Sequence, residues 1–161
     1  MRLRLLASMA LTVLASFDSM GGVSVRAQSP AFTLDGDIAL WTMAIKADKT
    51  QDFERVMAKL RGALSKSANP VRRQQLAGWK VMRVKSPLPD GNVAYVHVIN
   101  PVVAGADYQI MPILYDEFPD ERQALYELYR GAFVSNLSLA PGTLTLDMKK
   151  AADEGSASTG Q

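Results

Sequence analysis

The chain has one histidine, His97, and it lies in the run Val93-Ala94-Tyr95-Val96-His97-Val98-Ile99. Alternation along a strand puts His97 on one face with Tyr95 and Ile99. Imidazole changes charge closest to neutral pH, so His97 is the side chain best suited to acid–base work or to sensing protons. Set beside the indoles of Trp41 and Trp79 and the thioether of Met43, it would complete an aromatic-lined pocket with a single titratable group. Trp41, Met43, Trp79, Tyr95 and His97 are therefore the candidate ligand pocket or dimer face. The plainer reading of the same residues is a histidine held by a structural hydrogen bond and tryptophans that fill a core or an interface. On that reading none of the five is catalytic.

Other chemistries are limited by what the chain lacks. With one histidine and no cysteine it has no residues for a multi-histidine or thiolate metal site, a disulfide framework or a cysteine nucleophile. There is no Gly-rich phosphate loop, zinc motif or nucleophile elbow, so no metal, cofactor or catalytic residue is expected. Asp116, Glu117, Asp120 and Glu121 resemble paired catalytic carboxylates in sequence only. Two of them follow Pro119, where the positive start of a helix favours acids. Arg72, Arg73, Lys80 and Arg83 could make a basic patch for an anion. The alternative is that a basic first half of the domain complements an acidic second half across two neighbouring helices.

The first 27 residues form a secretory signal in the order the export machinery reads it. Arg2 and Arg4 precede an apolar run from Leu5 to Phe17, and Val25-Arg26-Ala27 supplies small side chains for cleavage before Gln28. That run is shorter than the roughly 20 apolar residues of a spanning helix, so no membrane anchor is expected after cleavage. The expected location is the periplasm or the exterior. Residues 1–27 carry three of the 18 basic and one of the 16 acidic residues, which leaves the remainder balanced in charge. A neutral domain gives no support to nucleic-acid binding. The segment 28–36 reads as a linker, 37–148 as one domain, and 149–161, all small, polar or charged, as a disordered tail.

Two periodicities alternate within the domain. Ile38 to Ile45 is a continuous apolar strand, and Asp48 with Gln51 reads as a capping box before a helix. Phe53, Val56, Met57, Leu60 and Leu64 form one helical stripe. Asn69-Pro70 opens a short helix that Gly78 can stop, and Trp79–Lys85 reads as a second strand. The turn residues of 87–92 lead into the third, Val93–Ile99. Pro112 and Pro119 each fit a first helical turn, with the longer helix expected over 119–134, and Leu139–Met148 alternates as a half-buried closing strand.

The order β-α-β-β-α-β is that of a ferredoxin-like α+β sandwich, a four-stranded antiparallel sheet with helices on one face. Apolar first and third strands fit its centre, and charged or alternating second and fourth strands fit its edges. Its second face, carrying either Trp41, Met43 and Ile45 or Leu40 and its neighbours, would be left in water. Pairing of two sheets is the simplest cover, which predicts a homodimer.

This pattern over residues 37–148 resembles the dimeric α+β barrel superfamily. The stretches Asn100-Pro101, Gly105-Ala106-Asp107-Tyr108, Phe118-Pro119 and Leu125-Tyr126 are similar to exported bacterial members of that type without an assigned activity. The resemblance implies a sheet-to-sheet dimer, and its catalytic members include monooxygenases, haem-degrading enzymes and isomerases. The haem-degrading members use an asparagine in the first strand and a helical histidine. Trp41-Thr42-Met43 has no such asparagine and His97 is in a strand, so no catalytic residue carries over. Two functions follow. One is a non-catalytic exported dimer that binds a small apolar molecule or a protein partner. The other is a cofactor-independent monooxygenase-like or isomerase-like enzyme with its pocket near Tyr95 and His97.

Overall fold

A computed structural model describes residues 31–148. The segment read as an export signal, the expected cleavage site and the 149–161 segment read as a tail lie outside the described residues. Eight principal elements follow one another as β1 (Ile38–Ile45), α1 (Thr50–Lys66), α2 (Pro70–Gly78), β2 (Trp79–Arg83), β3 (Val93–Ile99), α3 (Ile110–Glu117), α4 (Arg122–Ala132) and β4 (Phe133–Gly142). The four strands make one antiparallel sheet in the spatial order β2-β3-β1-β4. This α+β architecture is broadly compatible with a ferredoxin-like fold.

The register explains why β1 and β3 are apolar throughout. They pair from Ala39 opposite Ile99 to Ile45 opposite Val93, with Trp41 opposite His97, Met43 opposite Tyr95 and Leu40 opposite Val98. Trp41, Met43, Ile45, Tyr95, His97 and Ile99 are all buried on one face. The helices lie on that face. Phe53 of α1 packs its ring 4.7 Å from Tyr95, and the Tyr129 hydroxyl of α4 lies 3.9 Å from the Met43 sulfur. Phe53, Val56, Leu60, Ala63 and Leu64 carry the α1 stripe into the core, each large member contributing about 1.5–3 kcal/mol by leaving water.

Several local expectations need correction. No Asp48–Gln51 capping box forms; a 3-10 turn at Ala47–Lys49 runs straight into α1, whose N-cap Lys49 makes no side-chain cap. The Asn69 cap is present, its Oδ1 accepting from the Val71 N–H at 2.9 Å with Pro70 in the first turn. At the C-terminal end, α4 stops at Ala132 and β4 is Phe133–Gly142, not Leu139–Met148. Leu144, Leu146 and Met148 therefore stand outside the sheet, 48, 67 and 75% exposed, instead of half-buried within it. Within the segment read as a linker, Phe32 and Leu34 belong to the core. Leu34 is buried, and Phe32 sets its ring 5.0 Å from Trp41 while its backbone bonds Asp107 and Tyr108.

Asp107 ties three parts of the chain together. Its Oδ1 accepts from the N–H groups of Phe32 and Gln109, and its backbone carbonyl accepts from Arg72 at 2.6 Å and from the fully buried Gln75 at 3.0 Å. At the turn from α2 to β2, a Cβ on Gly78 would lie 2.5 Å from the Pro101 carbonyl oxygen, so only glycine lets these two backbones approach.

Candidate functional site

All five candidate residues fall on the helix-covered face of the sheet. They are 9% exposed or less, buried beneath the helices, so they do not present an open face. Trp79 is the diagonal neighbour of His97 across β2 and β3, where Val81 is directly opposite His97. The Trp79 indole N–H donates to His97 Nδ1 at 2.9 Å. An acceptor Nδ1 puts the imidazole proton on Nε2, which has no hydrogen-bond partner. Around that ring stand Trp41 at 4.9 Å and Phe53 at 6.3 Å between centroids. Burial holds the His97 pKa down at about 4, so the ring is neutral at physiological pH. His97 is fully buried and lines neither of the grooves described below.

Tyr95 sits at the upper end of the same face. Its hydroxyl donates to Glu54 Oε1 at 2.5 Å, and Arg83 approaches the same carboxylate at 3.7 Å. Burial and then the Glu54 carboxylate raise the Tyr95 pKa, so this phenol stays protonated. Trp41 is fixed at the other side of β1 by an indole bond to Asn136 Oδ1 at 2.9 Å.

Two grooves flank this aromatic centre. The larger, about 410 Å³, runs between α1, the end of α2 and edge strand β2. It is lined by Met57, Ala58, Leu60, Leu64, Leu76, Trp79 and Val81, with Glu54 and Arg61 also on its wall. The smaller, about 260 Å³, is bounded by Phe32, Trp41, Ile110 to Pro112, Tyr129 and Asn136. Tyr129 there is pushed up to about 12 by burial and offers no base near neutral pH. The larger groove was not anticipated from sequence. Met57 in the α1 stripe and Val81 beside Trp79 were its only signals, and their meeting depends on how α1 lies across β2.

Three of the four residues of the proposed basic patch are engaged in contacts of their own, while Lys80 is exposed on β2. Arg72 is spent on the Asp107 carbonyl and Gln75, Arg73 on the Ser67 and Ala68 carbonyls that end α1, and Arg83 on Glu54. The complementary-helix reading has one direct contact in its favour, Lys59 of α1 on Glu121 at 2.7 Å. Asp116, Glu117, Asp120 and Glu121 line none of the grooves described here. Among the described residues, no group of three or more histidine or carboxylate side chains is placed to hold a metal, and no helix is long and apolar enough to cross a membrane.

The uncovered face of the sheet carries Leu40, Thr42, Val96, Val98 and Met82. Leu40 is 42% and Met82 53% exposed. Compared with known proteins, the chain matches no family model, no curated protein sequence and no solved structure.

Proposed function

We propose that this protein is an exported, non-catalytic binding module of ferredoxin-like, dimeric α+β barrel type, in which two copies close their uncovered sheet faces against each other. The observation that carries the reading is the row Leu40, Val98, Val96 and Met82 on the helix-free face. These side chains are contiguous across three strands, with Leu40 opposite Val98 and Met82 opposite Val96. A contiguous apolar surface of this kind on a soluble domain marks an interaction site, and a second copy supplies a matching one by symmetry. Leu137, Leu139, Leu144 and Leu146 are also exposed, on edge strand β4 and just beyond it, with Leu139 opposite Trp41 and so on the other side of the sheet.

Binding is favoured over catalysis because the groups that could move protons are withdrawn from solvent or tied up. His97 is sealed under α1, and the Tyr95 hydroxyl is bonded to Glu54. The enzyme alternative, monooxygenase-like or isomerase-like, would need His97 to reach a substrate. The partner surface and the apolar groove instead suit a dimer that carries a small apolar molecule or meets a protein partner. Sedimentation velocity on residues 28–161 at micromolar concentration tests the assembly. The expected species is a dimer, and a strict monomer removes the reading.

A further inference from the structure

We propose that the groove between α1 and β2 is a site for a single-chain amphiphile with an anionic head, its hydrocarbon chain lying on Trp79 and Val81 and its head on Arg61. The proposal rests on the binding-module reading but not on the dimer.

Size and lining set the ligand class. A groove of about 410 Å³ is within the range of small-molecule sites, and six of its lining side chains, Met57, Leu60, Leu64, Leu76, Trp79 and Val81, are apolar. Met57 brings a flexible thioether that adapts to a chain without a fixed shape. Charge sets the head group. The wall carries one carboxylate, Glu54, and Arg83 and the Tyr95 hydroxyl already engage it. Arg61 lies two turns further along α1, about 10 Å away, and among the described residues it has no carboxylate partner. The free charge at the groove is therefore positive, and a guanidinium suits a carboxylate, sulfate or phosphate head.

Among the described residues no other segment of the chain lines this groove. Residues 149–161 contain no large apolar side chain, and residues 1–27 read as the signal removed on export. Edge strand β2 forms one side of the groove, with Val81 on its wall, which leaves that side open to a ligand from solution.

The test uses 12-bromododecanoate, whose bromine quenches a nearby indole. In a Trp41→Phe chain the remaining tryptophan is Trp79, so quenching reports on this groove alone. Saturable quenching is expected, weakened about tenfold by Arg61→Gln and abolished by Ala58→Phe, which fills the groove from an exposed position on α1 without adding an indole. Calorimetry on the unaltered chain with dodecanoate should give a matching affinity, and dodecyltrimethylammonium should not compete. Absence of saturable quenching and of calorimetric binding overturns the proposal, as does equal affinity for the cationic amphiphile or indifference to Arg61→Gln. A dimer without quenching loses this site alone, whereas quenching in a monomer loses the dimer alone.

Discussion

The indole N–H of Trp79 meets Nδ1 of His97 at 2.9 Å, a buried bond between diagonal neighbours on β2 and β3. It fixes the tautomer and leaves Nε2–H without an acceptor inside an aromatic shell. A ring held this way tolerates no second proton, and that has a measurable consequence for stability.

The folded pKa of His97, about 4, is below its ordinary value of 6.5. The unfolded chain therefore binds the extra proton first. Stability from this group is intact above pH 6.5 and is lost progressively as pH falls toward 4, to a total of about 3 kcal/mol. Urea unfolding at pH 7.0, 5.5 and 4.5 should show that decline in the native chain. A His97→Gln chain, less stable at pH 7, should lose the His97 component of the slope.

Phe53 is fully buried between Tyr95, His97 and Tyr129. Phe53→Ala should cost about 3–5 kcal/mol, from lost transfer energy and the cavity left behind. Chemical denaturation gives the number directly, and a loss under 1 kcal/mol would mean that α1 does not pack on this face.

Gly78→Ala separates helix propensity from packing. At the end of α2 alanine would be the better helix former by about 1 kcal/mol, but its Cβ would meet the Pro101 carbonyl at 2.5 Å. Backbone cannot yield as a side chain does, so the variant should be destabilised by about 1–3 kcal/mol. Thermal melting checks the sign.

Lys59 and Glu121 join α1 to the turn before α4 at 2.7 Å, but both are exposed. Glu121→Gln should change stability by less than about 1 kcal/mol, and the difference should shrink in 1 M salt. Parallel melts at low and high salt measure both.

Much of the fold was legible because its signals are local. The apolar runs Ile38–Ile45 and Val93–Ile99 coincide with β1 and β3, and Asn69-Pro70 with Gly78 brackets α2. The junction of α4 and β4 was not legible. Ala132 and Phe133 continue the helical stripe of Leu125, Leu128 and Tyr129, and Gly131 ends nothing, so only the pairing of Phe133 with Ile45 marks the switch. The side of the sheet on which the candidate residues lie was hidden for a related reason. A strand apolar on both faces carries no alternation to say which side the helices take, and the choice of Trp41 over Leu40 is made by the packing of Phe53 and Tyr129. The bond from Trp79 to His97 was equally hidden, since it depends on the register between β2 and β3.

The chain contains no cysteine, so a single introduced thiol reports unambiguously on the central claim that two copies meet through the uncovered sheet face. Thr42 lies on that face, half-buried and opposite Val96, whereas Ser65 is exposed on α1. A short bis-maleimide should convert the Thr42→Cys chain to a covalent dimer and leave the Ser65→Cys chain monomeric. Crosslinking at Ser65 with none at Thr42, or at neither, would contradict the account.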